Sequence, residues 1–126
     1  MSITQVKTVT VPISDEEKAL DFYVNALGFE VRRDEKFGPD MRWIEVAPPG
    51  GQTQLVLARG YGHNADRIGT FTGFVLEADD IKATFEQLKS KGVRFTEEPT
   101  PQPWGGIQAQ FVDQDDNGYV LVQTQA

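Results

Sequence analysis

Glu45 and Trp43, two residues apart in Arg42-Trp43-Ile44-Glu45-Val46, are the side chains best placed to do chemistry. If Ile44 and Val46 face a core, the period of two along a strand puts Trp43 and Glu45 together on the opposite face. A carboxylate held there, away from bulk water, suits proton abstraction or pairing with a cationic ligand. The same Glu45 could instead be a strand-edge residue reaching solvent or a neighbouring arginine. Trp43 is either a ligand-contacting aromatic or a core tryptophan. His63 is the single histidine and sits in Gly60-Tyr61-Gly62-His63-Asn64. Its titration near neutrality would suit a general base, yet a lone histidine in a polar loop is more often simply solvated. There is no cysteine and no Gly-x-Ser-x-Gly run, so thiol and serine nucleophile chemistry has no basis here.

A second group surrounds Pro101-Gln102-Pro103-Trp104-Gly105-Gly106. Two prolines stiffen this loop, and the glycine pair allows close backbone approach beside one large aromatic. Trp104 is a ligand-stacking ring or the cover of a core edge. Gln108 and Gln110 follow on an alternating stretch with Ile107, Ala109 and Phe111. With Gln54, Thr8 and Thr10 they offer neutral hydrogen-bonding groups rather than charged catalytic ones, although any one of them could be an ordinary solvent-facing residue.

The elements that must position these side chains fit in 126 residues, the size of one domain. A chain this long builds a core without disulfides or metal. The absence of cysteine fits a reducing compartment, and a cytoplasmic location is expected. No apolar run approaches the ~18 residues of a membrane span, and residues 1–10 show no basic-then-apolar leader pattern. The net charge of -7 repels phosphate backbones, and no basic stripe with interleaved aromatics appears. Nucleic acid and membrane are therefore not expected partners.

Residues 5–13 alternate, with Val9, Val11 and Ile13 on one face, and predict a strand. Ser14-Asp15-Glu16-Glu17 predicts a capping box led by Ser14, followed by a helix through Leu20, Tyr23 and Leu27 that Gly28 ends. Strands over 29–33, 42–47 and 52–58 complete a β-α-β-β-β order. After a polar connector over 60–69 the order restarts: a strand over 70–77, a helix capped by Asp79 or Asp80 and ended by Gly92, then strands from 93–96, 107–112 and 119–124. Residues 97–106 read as a loop, and Asp115-Asp116-Asn117-Gly118 as a tight Asn-Gly hairpin turn. Shifting the chain by 64 lays Asp15 on Asp79, Lys18 on Lys82, Ala19 on Ala83 and Gly28 on Gly92, an internal repeat. The expected fold is α+β: one domain over 1–126, with module one over 1–59 and module two over 70–126. Two βαβββ modules would pair into a curved mixed sheet with a central cavity, the default place for function.

The segments Val9-Thr10-Val11-Pro12-Ile13-Ser14-Asp15, Phe22-Tyr23 and Leu27-Gly28-Phe29-Glu30-Val31 resemble the opening of the glyoxalase/bleomycin resistance/dioxygenase, or vicinal oxygen chelate, superfamily. Phe74-Val75-Leu76-Glu77-Ala78-Asp79-Asp80-Ile81, Lys91-Gly92-Val93 and the run from Phe111 to Tyr119 resemble its second half. The resemblance spans nearly the whole chain. It implies that fold, but not one activity, since the superfamily includes lyases, isomerases, dioxygenases and drug-binding proteins.

Enzymes of the superfamily generally hold a divalent metal through four inward positions. By the resemblance these fall on Thr8, Val56, Gly73 and Val122. Valine and glycine side chains carry no donor atom, and a neutral threonine hydroxyl is a poor ligand for zinc, nickel or iron. No metal and no cofactor are therefore expected. Two functions follow. One is a homodimer, as relatives of this length often are, that binds a small organic molecule through Thr8, Thr10, Trp43, Gln54, Trp104, Gln108 and Gln110. In small binding members an aromatic on a loop like that of Trp104 stacks over a planar ligand. The other is an enzyme of the lyase, isomerase or dioxygenase class, either metal-dependent through other ligands or using Glu45 as base.

Overall fold

The structure is a computed structural model describing residues 1–59 and 66–124. The chain forms two compact units, Met1–Ile68 and Gly69–Ala126. The first holds β1 (Thr8–Ile13), α1 (Glu16–Leu20) continuing as a π-helical turn (Asp21–Ala26), β2 (Glu30–Lys36), β3 (Arg42–Ala47) and β4 (Gln54–Arg59). The second holds β5 (Phe71–Glu77), α2 (Ile81–Ser90), β6 (Arg94–Pro101), β7 (Ile107–Val112) and β8 (Gly118–Gln123). Each unit has a four-stranded mixed sheet, ordered β1-β4-β3-β2 and β5-β8-β7-β6. The fold is α+β, and the two sheets repeat one topology. No helix among the described residues is long and apolar enough to cross a membrane.

In the first unit, Val11, Ile13, Ile44, Val46 and Leu57 are fully buried with Ala19 and Tyr23 of the helix. Strand alternation therefore turns every second residue toward the helix. β2 is exposed along its whole length and carries charges at most positions, as an edge strand that resists stray pairing does. In the second unit an aromatic chain runs through the core. Phe85 meets Phe95 edge-on at 4.7 Å, Phe95 lies 5.6 Å from Phe111, and Phe111 stacks on Tyr119 at 5.4 Å.

Three local expectations need correction. The first helix is capped by Asp15, not Ser14: Asp15 has extended backbone and its carboxylate accepts from the Lys18 N–H at 3.1 Å. A carboxylate also meets the positive end of the helix. The second cap is Asp80, accepting from the Ala83 N–H at 3.1 Å. The caps are thus 65 residues apart, whereas the helix-ending Gly28 and Gly92, both in the left-handed region, are 64 apart. The first helix must absorb one extra residue. It does so in the π turn, where the Leu27 N–H reaches back five residues to the Phe22 carbonyl at 3.0 Å.

Residues 97–101, read as loop, belong to β6, which pairs with β7 through Thr100↔Gln108 and Pro101↔Ile107 with two register shifts. β6 is an edge strand, where prolines do not break a ladder on the outer side. The last correction concerns Asn117-Gly118. The left-handed residue of that turn is Asp116 (φ 65°), and Asn117 is wholly buried with its amide bonded to Asp113.

Candidate functional site

Two ion pairs identify the helix-covered face of the first sheet. Arg42 reaches Glu17 at 2.7 Å and Arg59 reaches Glu16 at 3.4 Å. Residues of the other parity form the face turned away from the helix, here the open face, on which Thr10 is exposed, Thr8 and Gln54 are half-buried, and Pro12, Ala47 and Val56 are buried. Register places Thr8 beside Gln54, and Thr10, Val56, Glu45 and Arg33 in one row across the four strands. Trp43 stands two residues from Glu45 on the same face. The structure thus places five of the residues singled out above on one face: Trp43 and Glu45 in contact, Thr10 in the row of Glu45, and Thr8 and Gln54 one row further on, away from Trp43.

Glu45 is 7% exposed and Val56 3%, while Trp43 is 37% exposed. The indole Nε1–H donates to Glu45 Oε2 at 2.5 Å. This bond fixes the ring and leaves its face as the surface it presents. The cation directly opposite Glu45 is Arg33, which interacts with it through charge but gives its hydrogen bonds to another carboxylate. Its guanidinium donates twice to Glu35, at 3.0 and 3.2 Å, and lies 5.6 Å from the Phe37 ring. The same pairing holds the Glu35 carboxyl below the usual carboxylate range. Arg33 and Glu35 escaped the sequence reading. Their signal, alternate charges on the strand after Gly28, becomes informative only once β2 is paired with β3.

On the second sheet, the Gln123 side chain accepts from the Ile81 N–H at 2.7 Å, which turns Tyr119, Leu121 and Gln123 toward α2. Gln108 and Gln110 lie on the opposite face, paired with Val122 and Val120. Gln108 Nε2 donates to Glu97 Oε1 at 3.1 Å. Trp104 is half exposed on the tight connection between β6 and β7, where the Gln102 N–H donates to the Gly106 carbonyl at 2.8 Å. Its ring occupies the space a side chain on Gly106 would need. The second unit carries the other three candidates, Trp104, Gln108 and Gln110. His63 lies outside the described residues.

The positions that the family would use for metal do not fit one. Val56 and Val122 are hydrocarbon. Gly73 has φ +80° at a register shift in β5, a conformation that L side chains rarely adopt. No three His, Cys, Asp or Glu side chains gather into a metal-binding group among the described residues. A separate cavity of about 210 Å³ in the first unit is lined by Glu16, Lys36, Asp40, Arg42 and Arg59 with Gly38, Pro39 and Met41. It holds none of the sequence-selected residues, and its arginines are already ion-paired.

The sequence profile of the Glyoxalase/Bleomycin resistance protein/Dioxygenase superfamily matches residues 5–122. The chain belongs to that superfamily. A superfamily member from Sphaerobacter thermophilus, known from its crystal structure, is 42% identical, with a TM-score of 0.90 over 96% of this chain and 98% of its own. TnmS3, an antibiotic binding protein from a Streptomyces species, is 38% identical, with a TM-score of 0.88 over 99% of each chain. The Bacillus subtilis protein YetH is 36% identical over 120 residues, 94% of this chain and 98% of its own. Superfamily membership accounts for the repeated topology and does not fix one activity.

Proposed function

We propose that this superfamily member binds a small, flat organic molecule and holds it without chemistry and without a metal. The observation that carries the proposal is the open face of the first sheet. It combines a hydrogen-bond-anchored indole, Trp43, with the neutral groups of Thr8, Thr10 and Gln54. The same face carries Thr8 and Val56 where the family's metal ligands would stand. Aromatic surface plus a few polar groups is what ligand sites need, and metal catalysis needs good donor atoms, which Val56 lacks and the neutral hydroxyl of Thr8 supplies only poorly. The likeness to an antibiotic binding protein over nearly the full length supports the same reading. Gln108, Gln110 and Trp104 are proposed as further ligand contacts. A homodimer in the cytoplasm is the proposed setting.

Elemental mass spectrometry after incubation with Zn, Ni, Mn and Fe(II) and desalting tests the metal-free part. Less than about a tenth of an equivalent supports it, and near one equivalent of a single metal overturns it. An acid/base enzyme using Glu45 is the second reading, favoured by the burial of that carboxylate. It requires that Glu45→Gln abolish a turnover, whereas a binding protein has none to lose. Sedimentation equilibrium tests the dimer.

A further inference from the structure

Glu45 is nine-tenths buried, and only one of its oxygens has a partner, the Trp43 indole N–H. Among the described residues the second oxygen receives no hydrogen bond and no ion pair. The one fully buried side-chain atom without a partner among the described residues is Gln114 Oε1, so the free oxygen of Glu45 keeps contact with the open face. Leaving a carboxylate oxygen unpaired in a poorly solvated place is costly. The neighbours relieve it only in part. Val56 beside it is apolar, Thr10 beyond is neutral, and Arg33 opposite acts on Glu45 through its charge alone, its guanidinium giving both side-chain hydrogen bonds to Glu35.

We infer that Glu45 is the recognition carboxylate of this face, receiving a cationic nitrogen or N–H group of a planar ligand that stacks on Trp43. The inference rests on the binding reading above and names the ligand class. Geometry supports both halves. Trp43 spends its only donor on Glu45, so its ring cannot rotate to seek water, and a fixed, one-third-exposed indole is a preorganised stacking surface. A cation over that face gains from the ring quadrupole, and the carboxylate two residues along the strand supplies the charge-assisted hydrogen bond. Thr10, in the same row as Glu45, adds a neutral group that does not discriminate by charge.

Two three-ring probes of equal size and opposite charge test this: proflavine, a planar cation, and 9-anthracenecarboxylate, a planar anion. Binding is read by probe fluorescence polarisation in 0.15 M salt on the unaltered chain, on Glu45→Gln and on Trp43→Ala. Proflavine is expected to bind the unaltered chain more tightly than 9-anthracenecarboxylate does. It should weaken about tenfold or more on Glu45→Gln, the loss expected for one hydrogen bond to a charged group. The glutamine carbonyl can still accept the indole N–H, so 9-anthracenecarboxylate should bind Glu45→Gln at least as well as the unaltered chain. Trp43→Ala should weaken both probes. Equal affinity of proflavine for the unaltered chain and Glu45→Gln overturns the role of Glu45 and leaves the binding reading standing. So does a preference of the unaltered chain for the anion, a comparison that needs no variant to fold. Failure of both probes to bind any of the proteins overturns the binding reading itself.

Discussion

The side-chain amide of Asn117 donates to Asp113 Oδ2 at 2.9 Å, and the Asn117 backbone N–H donates to Asp113 Oδ1 at 3.0 Å. The same Asp113 oxygen also takes the Asp115 N–H at 2.8 Å, and Asn117 Oδ1 accepts from the Gly69 N–H at 2.9 Å. Both residues are buried. Asn117 is therefore a buried polar hub that ties the entry to β5 onto the β7–β8 connection.

Replacing Asn117 by Gly separates this role from that of a turn former. A residue needed only for its backbone freedom would tolerate glycine. Here Asn117→Gly and Asn117→Ala should each destabilise by about 2–4 kcal/mol, because both leave the Asp113 carboxylate buried without its amide partner. Urea unfolding followed by far-UV circular dichroism reads the loss as a lower midpoint at unchanged slope. A shift of less than about 0.5 kcal/mol for Asn117→Gly would return this residue to the role of a simple turn former.

Arg42 grips Asp34 with two hydrogen bonds of 2.8 Å while also reaching Glu17. The grip holds the Asp34 carboxyl below its ordinary range and the Arg42 guanidinium above its own. A folded pKa below the unfolded value of about 4 means that the stabilisation is complete above that value and fades as pH falls through the folded one. Asp34→Asn should cost about 0.5–1 kcal/mol at pH 7, a modest figure because the pair is partly solvated. The variant and the unaltered chain should approach each other as pH falls through the folded pKa of Asp34. Thermal melts between pH 2 and 7 follow the two curves, and a gap that does not narrow as pH falls would assign the loss to packing instead.

The β-α-β-β-β order, the helix-ending glycines and the shared face of Trp43 and Glu45 were legible because each rests on local periodicity or on one residue's backbone preference. What stayed hidden depends on pairing or on a count of one. The extra residue in the first helix cannot be seen from Asp15 and Asp79, since the true second cap is Asp80. The pairing of Arg33 with Glu35, which leaves Glu45 without a hydrogen bond from Arg33, needs the β2–β3 register. The proline-bearing β6 resembles a loop until its edge position is known. Asn117-Gly118 misled for the opposite reason: a strong turn signal stood where a buried hydrogen-bonding residue was required.

Trp104 and Gly106 make a similar local test. The backbone of Gly106 is not in the left-handed region, so only space forbids a side chain there, and the space is taken by the Trp104 ring and the Gln123 carbonyl. Gly106→Ala should displace the indole and cost about 1–3 kcal/mol. In a Trp43→Phe background Trp104 is the sole tryptophan, so acrylamide quenching of its emission reports the displacement directly. Unchanged quenching would mean that the connection shifts its backbone and keeps the ring in place.

Gly73 poses the converse case, because an added Cβ there would meet nothing within 4 Å while φ is +80°. The strand around it is held by Thr72, whose hydroxyl donates to the Gly118 carbonyl at 2.7 Å and accepts from the Phe74 N–H at 3.0 Å. Any loss from substitution must therefore come from backbone strain. Gly73→Ala should destabilise by about 1–2 kcal/mol, and Gly73→Asn by less, since asparagine enters the left-handed region more readily. Gly73→His should lose at least as much as alanine, so a histidine at the third metal position of the family is opposed by the backbone before any ligand geometry is considered. Urea midpoints for the three variants order these costs. Equal midpoints for glycine and alanine would show that β5 can relax to an ordinary strand, and the barrier to a histidine at this position would then lie elsewhere.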